Sequence, residues 1–179
     1  MSQNLQTIVL AGGCFWCLEA VYLGVRGVVS VQSGYSNGHL SNPSYEQVCA
    51  GSTGHAEVVK LTFDPQQISL RQLLDIFFTI HDPTTLNRQG NDVGSQYRSG
   101  IYFQTPEQAE LARSYLDGLG ASGAYRDPIV TELLPLANYW PAEDYHQNYF
   151  ARNPNQGYCA FVVAPKVAKF EQHFAELSK

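Results

Sequence analysis

The amino-acid sequence predicts an α+β fold, a ferredoxin-like two-layer sandwich with a split β-α-β core, long coil segments and extra C-terminal helices. Three observations predict it: apolar patterns in the order strand, helix, strand, strand, helix, strand; the three-four spacing of Leu70, Leu73, Leu74 and Phe77; and turn residues at the boundaries, such as Gly12-Gly13 and Asp64-Pro65. The 179 residues with 44% hydrophobic content fit one compact domain over residues 1–179, since domains most often run to roughly 100 to 150 residues and can be larger.

Gln6 to Ala11 reads as a short buried strand, broken by Gly12-Gly13 before a helical pattern that starts near Cys14 and runs through Leu18, Val21 and Tyr22. Cys14 then sits where a strand hands over to a helix. Val28 to Tyr35 forms a second strand, Ser36 to Pro43 is turn-rich, Tyr45 to Cys49 is a short helix, and Ala56 to Phe63 is a third strand ended by Asp64-Pro65. Ser69 caps an amphipathic helix, and Ser99 to Phe103 is the fourth strand. Pro106 to Leu119 and Lys166 to Leu177 are expected as further helices with a strand at Ile129 to Leu134 between them, and the apolar run Ala160 to Val163 as one more strand. His81 to Arg98, rich in Asp, Thr, Asn, Gly and Gln, is the longest irregular stretch. Such segments inside compact domains are usually functional or disordered, and its place between two core elements argues against disorder.

A net charge of −5, a charged content of 15% and five scattered His residues give no basic face for nucleic acid. Met1 to Val9 has no Lys or Arg and only a short apolar run, so it lacks the regions of a secretion signal. No stretch reaches the roughly 20 apolar residues of a membrane span. These features place the protein in the cytoplasm, where four cysteines are expected to be reduced and a Cys pair signals metal or redox chemistry more often than stapling.

In Gly12-Gly13-Cys14-Phe15-Trp16-Cys17, a thiol lies at a helix N-terminus, where free backbone N–H groups and the helix dipole favour the thiolate. Phe15 and Trp16 are suitable walls for a small apolar group near that sulfur, and Cys17 lies one turn further, within disulfide reach. The motif alone leaves three readings open: a redox nucleophile, a zinc module built from Cys14, Cys17, Cys49 and His55, and a buried structural pair. The zinc reading lacks a second paired set at zinc-finger spacing. A general disulfide oxidoreductase would share the C-x-x-C context.

Gly13-Cys14-Phe15-Trp16 with Glu19, Asn42-Pro43-Ser44-Tyr45, Gly54-His55-Ala56-Glu57, His81-Asp82-Pro83-Thr84-Thr85, Gly94-Ser95-Gln96-Tyr97-Arg98-Ser99 and Glu143-Asp144-Tyr145-His146-Gln147 together strongly resemble the peptide methionine sulfoxide reductase A family. The resemblance reaches from the first strand to about Cys159. It implies reduction of the S epimer of methionine sulfoxide, free or in proteins, in a single catalytic domain. It further implies Cys14 as nucleophile, Phe15 and Trp16 around the substrate methyl group, Tyr45, Glu57 and Tyr97 at the sulfoxide oxygen, Asp92 in support, thioredoxin as reductant and no cofactor or metal.

The chemistry fits those residue types. A sulfoxide oxygen leaves only if protonated, and a carboxylic acid near pH 7 supplies the proton if burial keeps it neutral; Glu57, in an apolar strand, has that setting. Two tyrosine hydroxyls can donate to the oxygen as charge develops. The resulting sulfenic acid needs a second thiol. Cys17 is favoured narrowly as first resolver, Cys159 as second resolver or relay, and Cys49 ranks third, equally readable as a buried filler. The plain alternatives are packing for Tyr45 and Tyr97, a solvated strand position for Glu57, a turn role for Asp92, a polar anchor for Glu19 and a turn-orienting role for His55.

Overall fold

In the computed structural model, residues 4–179 are described; the expectation for Met1 to Val9 falls partly outside them. The strands are β1 (Gln6–Ala11), β2 (Val28–Ser36), β3 (Ala56–Phe63), β4 (Arg88–Gln89), β5 (Asp92–Val93), β6 (Gly100–Phe103), β7 (Glu132–Pro135) and β8 (Trp140–Pro141), and the helices are α1 (Phe15–Leu23), α2 (Tyr45–Cys49), α3 (Leu70–Ile80), α4 (Pro106–Ala121), α5 (Tyr149–Arg152) and α6 (Ala164–His173). Six strands form one mixed sheet in the order β7-β6-β1-β3-β2-β8, while β4 and β5 make a separate small hairpin. Every pairing in the large sheet is antiparallel except β6 with β7. The architecture is α+β.

Side-chain alternation divides the sheet into two faces. Ile8, Leu10, Val59, Leu61, Phe63 and Ile101 pack with Leu18 and Val21 of α1, Leu73 and Phe77 of α3, Ala112 of α4 and Phe170 of α6. Val9, Ala11, Ala56, Val58 and Tyr102 point the other way, where Leu136 and Tyr139 cover them. Helices therefore shield one face and the coil after β7 shields the other. Because both faces are covered, β3 is buried nearly end to end, and its second residue, Glu57, is not the solvated position a period-two strand would allow.

Local chemistry sets the helix boundaries. Ser44 and Ser69 each close a capping box with a Gln three residues on, and Thr105 caps α4 ahead of Pro106. At the end of β1 the chain must turn sharply: Gly13 has φ +98°, and a side chain there would collide with Gln89, so this junction accepts only glycine. Burial all around α1 extends to Phe15, Cys17, Leu18, Glu19, Val21 and Tyr22, as expected of a helix wedged between sheet and C-terminal segments.

Several expectations are corrected. Ala160 to Val163 is not a strand: Cys159–Val163 form a π-helical turn running directly into α6. Its apolar character reflects burial of Cys159 and Val163 against the core, which a helix supplies as readily as a strand. The last helix ends at His173, and Ala175–Leu177 is a separate 3-10 turn. The strand expected at Ile129 begins at Glu132, and the stretch from His81 to Arg98 contains the β4-β5 hairpin and a 3-10 turn, Ser95–Tyr97. Cys49 is exposed rather than a buried filler.

Replacing Ser69 with Ala removes the side-chain oxygen that accepts from Gln72 N–H and should cost about 1 kcal/mol, the usual magnitude for a lost N-cap. Urea unfolding measures this. A change near zero would show that Gln72, whose side chain accepts from Ser69 N–H, caps the helix alone.

Candidate active site

Cys14 is the N-cap of α1, in an extended conformation, with only 8% of its surface exposed. The strand–glycine–helix junction places it over the start of β3. There Glu57 alternates with Ala56 and Val58 and so projects toward α1, where its Oε1 accepts a 3.1 Å hydrogen bond from the backbone N–H of Phe15. Glu57 is 1% exposed, and its Oε2 is buried without a hydrogen-bond partner. Burial raises its carboxyl to about 8, opposed by the Phe15 bond and assisted by the charge of Asp92. At neutral pH the group is mainly a carboxylic acid, with one oxygen uncommitted.

The expectation that the helix terminus would favour a Cys14 thiolate is overturned. Burial, then the neighbouring Glu57 and Cys17, raise the Cys14 thiol well above its usual value, and the Trp16 backbone N–H opposes them only in part. Dipole stabilisation is worth roughly 0.3–1 kcal/mol at most exposed helix ends, less than the several kcal/mol that burying an unpaired charge costs. Glu57 also occupies the Phe15 donor.

Aromatic rings wall the site. Phe15 lies 5.7 Å from Tyr35, 6.4 Å from Tyr45 and 5.0 Å from His146, and Tyr45 lies 4.3 Å from His146. Trp16 stacks on Tyr149 at 3.8 Å and meets Tyr158 edge-on at 5.9 Å. Its indole N–H donates to His146 Nδ1 at 3.1 Å. The Tyr97 hydroxyl, carried by the 3-10 turn, lies near enough to Glu57 and Cys14 for both to raise it, after burial; Tyr45 is raised by burial and Glu57 as well. Both remain neutral donors.

Asp92 on β5 accepts a 2.5 Å hydrogen bond from the Tyr158 hydroxyl, which also lies 4.0 Å from the Cys17 sulfur. A cavity of about 310 Å³ opens here, lined by Cys14, Asp92, Tyr158, Phe161 and Lys166 among others. A larger groove of about 680 Å³ contains none of the candidate residues. Cys17 and Cys159 are completely buried, the latter on the π turn.

The fold therefore gathers Cys14, Phe15, Trp16, Cys17, Tyr45, Glu57, Asp92 and Tyr97, while Cys49 stays exposed. His55 is committed to the turn, accepting from Gly38 N–H and bonding the Leu40 carbonyl. Glu19 accepts from the backbone N–H groups of Asn148 and Tyr149. Among the described residues, no group of three or more His, Cys, Asp or Glu is placed to hold a metal ion. Sequence reasoning gave no roles to Tyr35, Glu143, His146, Tyr149 and Tyr158. The run Glu143 to Gln147 carried the only signal: Glu143 accepts from the Tyr35 hydroxyl and the Tyr45 backbone N–H, holding Tyr45 against the site.

An α+β protein whose site joins a helix-capping cysteine, a neutral buried acid and an aromatic wall falls in the class of thiol-based redox proteins. Comparison with known proteins narrows this. The model of the family described as peptide methionine sulfoxide reductase matches residues 6–178. A peptide methionine sulfoxide reductase MsrA of Polynucleobacter asymbioticus is 58% identical over 174 residues, covering 97% of this chain and 92% of the relative. Mxr1 from Saccharomyces cerevisiae in reduced form aligns with a TM-score of 0.77 at 40% identity, over 87% of this chain and 89% of that one. In its complex with Trx2, Mxr1 aligns with a TM-score of 0.54 at 28% identity, over 83% and 89%. The chain belongs to the peptide methionine sulfoxide reductase family.

Glu19→Ala should strip two backbone N–H groups of their acceptor and destabilise the protein by roughly 1–3 kcal/mol. It should also loosen Tyr149 beneath Trp16. Urea unfolding reads the first effect and Trp16 emission, in a Trp140→Phe background, the second; unaltered emission would show that Tyr149 holds its place without Glu19.

Proposed function

We propose that this chain reduces the S epimer of methionine sulfoxide, free or in proteins, with Cys14 as nucleophile and Glu57 as acid, in a single catalytic domain spanning 1–179. The observation that carries the reading is the neutral Glu57 carboxyl beside Cys14, with one buried oxygen left uncommitted. An acid with a pKa near the working pH combines protonation with willingness to give up the proton.

The substrate methyl group enters between Phe15 and Trp16, and its sulfoxide oxygen faces Glu57, Tyr45 and Tyr97. Glu57 passes its proton to that oxygen while the Cys14 sulfur attacks, and the Cys14 proton returns to Glu57. The hydroxyl then passes from the substrate sulfur to the Cys14 sulfur as the bond between the two sulfurs breaks, its electron pair staying on the released thioether of methionine, and Cys14 is left as a sulfenic acid. Asp92 supports the site by tethering Tyr158 and by its charge, which adds to burial in raising the Glu57 carboxyl.

Cys17 resolves the sulfenic acid first, being one helical turn from Cys14, and Cys159 acts as second resolver or relay. Thioredoxin then reduces the disulfide, a partner supported by the complex of the yeast relative with Trx2. The reading needs no cofactor. Four free cysteines suit the reducing cytoplasm, and no helix among the described residues is long and apolar enough to cross a membrane. We also assign the core to the ferredoxin-like type, a reading supported by the order of the fourth, first, third and second core strands, β6-β1-β3-β2, with antiparallel neighbours.

Stereochemically pure sulfoxides offered with a dithiol test the reading: turnover is expected with the S epimer, and turnover confined to the R epimer would refute it. Cys14→Ser should abolish methionine formation in a folded protein, since the nucleophile is lost with little change in volume; substantial S-epimer turnover by that variant would sink the mechanism.

Glu57 is active in its protonated form and its pKa is raised to about 8. The single-turnover rate of methionine formation should therefore hold on the acid side and fall as pH rises through about 8. In Glu57→Gln this limb should vanish and the rate should drop roughly 100-fold or more. Retention of the limb in the variant would assign it to another group.

A further inference from the structure

We propose that Tyr158 is a positioning residue for the resolving thiol: held by Asp92, its hydroxyl orients the Cys17 sulfur and conducts the Cys17 proton to the Asp92 carboxylate. The proposal rests on Cys17 as first resolver. Tyr158 stands 2.5 Å from Asp92 Oδ2 and 4.0 Å from Cys17 Sγ. A phenol has one proton, and Tyr158 donates it to Asp92 Oδ2. Its oxygen is left to accept from the Cys17 S–H. The ring is braced edge-on against Trp16, itself stacked on Tyr149, which limits how far the hydroxyl can wander.

The Cys17 thiol needs such help because it is completely buried. Burial raises its pKa, while Lys166 and the Tyr158 bond lower it and Asp92 and Glu57 raise it again. The groups facing it are thus Tyr158 and Lys166 on the C-terminal helical segment, Asp92 on β5, Glu57 on β3 and Cys14 at the head of α1. Lys166 stabilises a thiolate but, as an ammonium, accepts no proton. Glu57 is already protonated. Only the Tyr158–Asp92 pair joins a bond to the sulfur with a proton acceptor behind it.

The step balances. The Cys17 proton moves to the Tyr158 oxygen as the Tyr158 proton moves to Asp92. The Cys17 sulfur supplies the electron pair of the new S–S bond and is oxidised; the Cys14 sulfur is reduced as its S–O bond breaks. The departing hydroxide takes the Glu57 proton and leaves as water, and the proton held by Asp92 then restores Glu57.

Reduced enzyme mixed with one equivalent of methionine sulfoxide separates the steps, methionine reporting the first and loss of dimedone-trappable sulfenic acid the second. In Tyr158→Phe the ratio of the second rate to the first should fall roughly tenfold or more at neutral pH, the order expected for a lost hydrogen bond to a charged group. The closure rate of the variant divided by that of wild type, taken at each pH so that their shared dependence on the Glu57 proton cancels, should rise toward one at alkaline pH as the thiol ionises without the relay; a purely structural loss would not be repaired by hydroxide. An unchanged ratio and pH profile in Tyr158→Phe, with sulfenic acid accumulating in Cys17→Ser, would overturn the relay and leave the resolver standing. Closure at the wild-type rate in Cys17→Ser would instead overturn the resolver. If the phenylalanine variant does not fold, fluorotyrosine at position 158 keeps the shape and alters the proton affinity of the oxygen; a displaced pH profile of closure supports the relay, and an unmoved profile overturns it.

Discussion

The hydrogen bond from the Phe15 backbone N–H to the buried Glu57 carboxyl is the constraint on which the site depends. It joins the first turn of α1 to the beginning of β3, two segments 42 residues apart in sequence. It also gives a buried acid one partner and leaves its other oxygen without any. A carboxyl so placed cannot be ionised cheaply, since no cation of the described residues pairs with it: the one ion pair, between Arg98 and Glu132, lies elsewhere. Neutrality is the remaining solution. The cost of burying a polar atom is retained as acidity at a useful pH.

The same bond settles the state of Cys14. A helix terminus has few free N–H groups, and here one is taken by Glu57 and another faces the Cys14 sulfur from Trp16. In a dry pocket beside two other acidic groups, that assistance is outweighed and the resting thiol keeps its proton. In the proposed mechanism, attack and proton delivery are then coupled through Glu57, which would give one proton to the oxygen and recover one from sulfur. A permanently ionised cysteine would separate the two events and leave a buried negative charge waiting for substrate.

Around this pair the aromatic wall is held in place by hydrogen bonds to polar groups. Glu19 holds the start of α5 through two backbone N–H groups, so that Tyr149 lies flat against Trp16. Glu143 draws Tyr35 and the Tyr45 backbone together, and His146 accepts the indole proton of Trp16. Apart from Glu19 on α1, these supports come from residues 143–152, which follow the sheet in sequence and pack against α1. The Tyr158–Asp92 bond closes the ring on the remaining side. Orientation of flexible rings is thus bought by satisfied buried hydrogen bonds, which lose strength steeply with distance and angle.

By itself the sequence determined the α+β class, the order of the core elements from β1 to β6, and the identity of Cys14, Glu57, Tyr45, Tyr97 and Asp92 as candidates. Periodicity, caps and turn residues are local signals: Ser69 with Gln72 states a helix start within four residues, and Gly12-Gly13 states a break. Local signals were silent where the same apolar run suits two structures, as in Ala160 to Val163, whose helical outcome depends on packing Cys159 and Val163 into a core already built. They were misleading for the Cys14 thiol, because a helix terminus is visible in sequence and burial is not. Only the tertiary structure decided that β3 is covered on both faces, that Glu57 faces Cys14, and that Tyr158 stands between Asp92 and Cys17. The reason is physical: those facts rest on contacts between segments 42, 66 and 141 residues apart, and the burial that shifts each group's chemistry exists only once the sheet, α1 and the C-terminal helix have closed together.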